Sequence, residues 1–127
     1  MDSSSIHEKL KQLETEDFIW FLYLGIIFLS FYSNALEKDY FLFQNNISKK
    51  KYQEVMIFIF SLLNIVYFYF FLDAKKSINN LKPWDSSKKK NLNWLSYMAS
   101  TLICISGILF LYIAIQDKDF DVELAFN

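Results

Sequence analysis

Three stretches without a single charged residue, 18–36, 55–72 and 92–115, fill about half of the chain. Each matches the ~17–25 residues that a helix needs to cross the hydrocarbon of a bilayer. In hydrocarbon the backbone has no water to bond, so only helices and closed barrels can span it. Stretches of 18 to 24 residues are far longer than the ~9–11 residues of a transmembrane strand. The fold expected is therefore all-α and integral to the membrane, with three transmembrane helices preceded by a short amphipathic helix.

The arrangement of charge carries this reading further than the overall apolar content of 54%, which is close to the ~45–50% of soluble domains. Glu37, Lys38, Asp39, Lys49, Lys50, Lys51 and Glu54 crowd between the first two stretches, whereas residues 91–116 carry no charge at all. A soluble helix would return a polar residue to its outer face every third or fourth position. The second stretch does not: its apolar run is broken only by Ser61 and Asn64. A cleaved signal peptide fits poorly as well. The first stretch follows an acidic segment, exceeds the usual ~7–15-residue core, and ends in Ser33-Asn34-Ala35-Leu36, a weak cleavage site.

The chain divides into an N-terminal segment at 1–17, a three-span domain at 18–116 and an acidic tail at 117–127. In the first segment, Ser5 and Glu8 fit a capping box. Ile6, Leu10 and Leu13 then form one apolar stripe, placed either in the membrane interface or against the ends of the bundle. Asn45 to Ser48 read as the first loop, and Asp73 to Asn91, with the only proline, as the second. In the tail, Phe120 to Phe126 alternate apolar with polar or small residues. That period suits an extended strand able to join a partner's sheet edge, or a free acidic tail.

Odd span number puts the N-terminal segment and second loop on one side, with eight lysines, and the first loop and tail on the other, with five. Lysine excess stays cytoplasmic, so the N-terminus is expected inside and the C-terminus outside a plasma membrane, with lysine as the sole basic residue type pointing to an AT-rich bacterial source. The N-terminal segment is net −3 and the second loop net +4. They can dock on each other or simply stay solvated, since exposed ion pairs contribute only ~0–1 kcal/mol. Lys75, Lys76, Lys88, Lys89 and Lys90 are candidates for anionic lipid headgroups, at about 1 kcal/mol each near the surface.

Within the spans, small and polar residues mark contact faces. Ser96, Ser100 and Cys104 recur every four residues, with Ala99 and Gly107 alongside. Small residues let helix backbones approach closely where lipid supplies no hydrophobic drive. Ser30, Ser33 and Asn34 cluster in the first span, and Ser61 and Asn64 in the second. An amide at that depth needs a protein partner. The expected form is a small-residue packing face on the third span and an aromatic wall on the second.

No charge lies deep in a span, which speaks against proton-coupled pumps and voltage sensors. His7 lies in the N-terminal segment far from Cys104, and the serines have no base beside them in sequence. Hence neither catalytic residues, nor a metal site, nor a cofactor is expected, and no small-molecule substrate or nucleic acid is evident. In size and span count the chain is similar to class I phage holins and to small bacteriocin-immunity proteins, a likeness of architecture alone. The alternative readings are a homo-oligomeric, holin-like pore or permeability factor, in which several copies gather Ser30, Asn34, Ser61 and Asn64 about an axis, and an immunity-type membrane protein. The reading from the residues themselves is a non-enzymatic membrane component. It would bind itself or another membrane protein through the third span's small face and Asn64.

Overall fold

A computed structural model describes residues 3–120 of the 127. It contains three helices, α1 (Ser3–Phe43), α2 (Asn46–Asn79) and α3 (Ser87–Gln116). All three are long and apolar enough to cross a membrane. At roughly 1.5 Å per residue they measure about 60, 50 and 45 Å, against a hydrocarbon thickness of about 30 Å. Each therefore extends beyond its apolar section.

Helix α2 is the centre of the molecule. Among the described residues it packs against both neighbours, while the backbones of α1 and α3 do not approach each other. Its buried Tyr52, Met56, Ile59, Leu63 and Val66 follow at alternating steps of four and three, the spacing of a helix seam. The flanking helices answer with the same seven-residue repeat: Ile19, Ile26 and Ser33 on α1, Gly107 and Ala114 on α3. Phe60 of α2 stacks on Phe110 of α3 at 5.5 Å between ring centroids. Helix α2 buries most, because only the middle helix has a neighbour on two sides, and α3 leaves a broad apolar surface uncovered.

The short N-terminal amphipathic helix does not appear as a separate element. Residues 3–17 are the beginning of the 41-residue α1. No Gly or Pro occurs between Ser3 and Leu24, and residues 3–17 include three Glu, two Lys, two Leu and Gln12, all strong helix formers. Nothing in the sequence stops the helix at the span boundary. Ile6, Leu10 and Leu13 remain exposed along this extension.

Both loops are shorter than the sequence implies. The first is only Gln44 and Asn45. Gln44 takes φ 55°, a left-handed conformation that ends α1, and its N–H donates to the Tyr40 carbonyl at 2.7 Å. The Asn45 side chain then accepts from the Ile47 and Ser48 amides at 3.0 and 3.4 Å, starting α2 at once. The second loop contracts to 80–86. Lys75, Lys76 and Lys88, Lys89, Lys90 thus sit on helical turns, with Lys76 in the last turn of α2, where a cation complements the helix dipole. The alternating tail lies outside the described residues except for Phe120.

Candidate functional site

Four hydroxyls of the apolar sections are satisfied within their own helices. Ser30 Oγ donates to the Ile26 carbonyl at 2.9 Å, Ser33 to Ser30 at 2.8 Å, Ser61 to Ile57 at 2.7 Å and Thr101 to Tyr97 at 2.8 Å. Such back-bonding within one helix leaves little need for an outside partner. Ser33 is also fully buried in the α1–α2 seam.

Two contacts join α2 to α3 at mid-helix. Asn64 Nδ2 donates to the Gly107 carbonyl at 3.2 Å, and Cys104 Sγ donates to the Tyr67 carbonyl at 3.2 Å. The glycine is required here. A Cβ on Gly107 would collide with the Asn64 amide oxygen and come within 2.8 Å of the Tyr67 ring. The small-residue face of α3 therefore changes character along its length. Gly107 and Cys104 are taken up by α2, Ser100 and Ser96 line a cavity, and Ala99 is uncovered.

Asn34 is different. It is exposed, lies in the apolar section of α1, and its amide makes no hydrogen bond among the described residues. It lines a groove of about 450 Å³ between α1 and α2, together with Tyr23, Ile27, Ser30, Phe31 and Tyr67. Phe31 and Asn34 also line the next hollow along α1, which runs to Glu37 and Leu42. Ser30 and Asn34 share one groove, while Asn64 is engaged with Gly107 and Ser61 with its own helix. The four polar groups do not converge within one chain.

The end carrying the first loop is heavily tied. Asp39 accepts from Asn45 Nδ2 at 2.8 Å and from the Ser48 hydroxyl. Gln53 Nε2 donates to the Ala114 and Ile115 carbonyls at 3.3 and 2.9 Å, satisfying the last turn of α3. Phe120, at φ 59°, packs its ring against Tyr40, Phe41 and Tyr52 at 5.1, 5.6 and 4.6 Å. Lys49 pairs with Asp119 at 2.7 Å, which, with the Tyr40 ring 5.2 Å away, holds its ammonium above the ordinary lysine value.

The opposite end is looser. The N-terminal extension meets the end of α2 through Gln12, whose amide donates to Asp73 at 3.2 and 3.3 Å. No ion pair forms there among the described residues, despite the opposite net charges read from the sequence. In the second loop Asp85 accepts from the Lys82 amide at 2.7 Å and from Lys89 Nζ at 3.2 Å, and these bonds hold its carboxyl below the ordinary 3.8. Lys90 donates to the Pro83 carbonyl at 3.1 Å. Lys75, Lys76 and Lys88 are exposed.

Among the described residues no three of His, Cys, Asp and Glu gather closely enough to hold a metal ion. No family model, curated protein or solved structure matches this chain. Sequence reasoning missed Gln53, and it placed Phe120 in an alternating strand or free tail and not in a ring cluster. An amide two residues before an apolar run was a usable signal for the first. Nothing local marks the second, whose contacts come from α1 and α2.

Proposed function

We propose that this chain is a small, non-enzymatic, multi-pass membrane protein that works by helix–helix association, as a subunit or regulator of a membrane assembly. The observation that carries the reading is the Asn34 amide, uncovered and without a hydrogen-bond partner among the described residues, in the apolar section of α1. In hydrocarbon an unsatisfied polar group costs several kcal/mol, and a second helix removes that cost. The flanking Ile27 and Phe31, 52% and 68% exposed, supply the apolar surround. The lysine distribution supports an N-terminus in the cytoplasm and a C-terminus outside.

Association is measured by energy transfer between labelled copies in vesicles. An interhelical hydrogen bond in lipid contributes about 0.6–2 kcal/mol, so Asn34→Leu is expected to weaken association about 3- to 30-fold. Asn34→Gln, which keeps the amide, should retain most of it. Equal association of Asn34→Leu and wild type would rule the reading out. A pore is the alternative, favoured by Ser30 and Asn34 sharing one groove. Silent planar bilayers at high protein density would eliminate it, and channel-like currents lost in Asn34→Leu would establish it.

A further inference from the structure

At the looser end of the molecule a cavity of about 280 Å³ takes its walls from all three helices. Asp73 is the only charged residue in that wall. Around it stand the hydroxyl groups of Ser77, Ser96 and Ser100 and the rings of Tyr67 and Phe70. The Asp73 carboxylate accepts from the neutral Gln12 amide, and no lysine lies within ion-pair distance of it among the described residues. Asp73 also borders the adjoining hollow on the α1 side, where the exposed Lys9 and Lys76 line the wall without pairing with it. The cavity thus combines one negative charge, several oxygen acceptors and aromatic faces, at the boundary between the apolar section of α2 and its polar end.

That combination selects the charge and chemistry of an occupant. Anions are repelled by Asp73 and by the negative faces of the rings. Calcium and magnesium need a shell of six or more oxygens, commonly with several carboxylates, and the wall holds one carboxylate. An alkylammonium group suits every part. Its N–H groups donate to the carboxylate and hydroxyls, as charge-assisted bonds stronger than neutral ones. Its positive charge and alkyl carbons lie against Tyr67 and Phe70. The volume, just below the ~300–1,000 Å³ of sites for drug-sized ligands, suits an occupant smaller than those. We propose that this cavity binds a small primary ammonium group, carried either by a free amine or by an aminophospholipid headgroup. The inference does not depend on the Asn34 reading: Asn34 lies outside this cavity, although Tyr23 and Tyr67 border both the cavity and the Asn34 groove.

The test uses the full chain in nanodiscs of phosphatidylglycerol, titrated with ethylammonium chloride in a calorimeter, with sodium chloride as the reference. Saturable ethylammonium binding is expected, weakened at least tenfold by Asp73→Asn. Ser100→Leu, which fills the cavity and leaves the carboxylate in place, should weaken it similarly. Circular dichroism in the same discs checks that the variants stay helical. Replacing half of the lipid by phosphatidylethanolamine distinguishes the sources. Competition that lowers ethylammonium affinity in wild type supports the headgroup, and unchanged affinity supports the free amine. Absence of saturable binding in phosphatidylglycerol discs overturns the proposal. So does binding in both variants equal to wild type.

Discussion

The two ends of this molecule are built by opposite rules. At the end with the first loop, a two-residue link, two Asn45 capping bonds, the Gln53 bridge and the Phe120 ring lock three chain segments together. At the other end, α1 and α2 run past the apolar section side by side, joined by one amide–carboxylate contact and separated by polar hollows. The first end removes backbone freedom from every element it touches. The second leaves room and an unneutralised carboxylate. Tightness at one end lets the other stay open while the helices hold their register, since the mid-helix contacts at Gly107 and Cys104 mark the boundary between the two regimes.

The largest expected effect comes from moving that boundary. Gly107→Leu drives side-chain atoms into Asn64 and Tyr67. Overpacking of a fitted contact costs typically ~1–3 kcal/mol, and losing the Asn64 bond adds to it. Unfolding in detergent should shift by several degrees, and hydrogen exchange should rise along the whole first half of α3. Unchanged exchange there would mean that Gly107 does not divide the ends. Next is Phe120→Ala, which removes the ring from its aromatic cluster. For a half-buried ring we expect about 1–2 kcal/mol, seen as faster exchange at the ends of α1 and α3 and no change around Asp73.

Gln53→Leu is smaller. It strips two hydrogen bonds from the last turn of α3, about 0.5–1.5 kcal/mol, and should loosen Ala114 to Asp117 alone. The smallest effects are electrostatic. Because the Asp85 carboxyl is held below its ordinary value, its contribution is present above the unfolded value of 3.8 and fades as pH falls through the lower folded value. For Lys49 the sign reverses. Its raised value gives a contribution present below the ordinary 10.5 and lost as pH rises through the higher folded value. Titration monitored at the two loops should therefore loosen the second loop in acid and the tail contact in base. Asp85→Asn should abolish the acid response only.

The helices were legible in the sequence because their signal is redundant: some twenty apolar residues in a row specify one helix without help from neighbours. Their ends were not. Asn45 was visible as a loop residue, yet its capping bonds shorten that loop by placing Asn46 already in α2. The absence of any stop between Asp17 and Phe18 was equally visible, and α1 runs through it. Asn64 stood out as an amide in need of a partner, but its choice of Gly107 depends on how α3 returns along α2. The cavity at Asp73 was hidden for the same reason. Asp73 reads as the first residue of a loop, whereas α2 continues through it and sets Ser77 one turn away, and only the packing of α3 against α2 brings Ser96 and Ser100 near.

Association through the Asn34 face of α1 is most directly tested by cysteine crosslinking in native membranes. In a Cys104→Ser background, Phe31→Cys places a thiol beside the intact Asn34, and Ile65→Cys, on α2 and 68% exposed, places one elsewhere. A discrete higher-mass species from Phe31→Cys, absent from Ile65→Cys and lost when Asn34→Leu is added, is the predicted result. Equal crosslinking at both positions, or crosslinking at Phe31→Cys that survives Asn34→Leu undiminished, would contradict it.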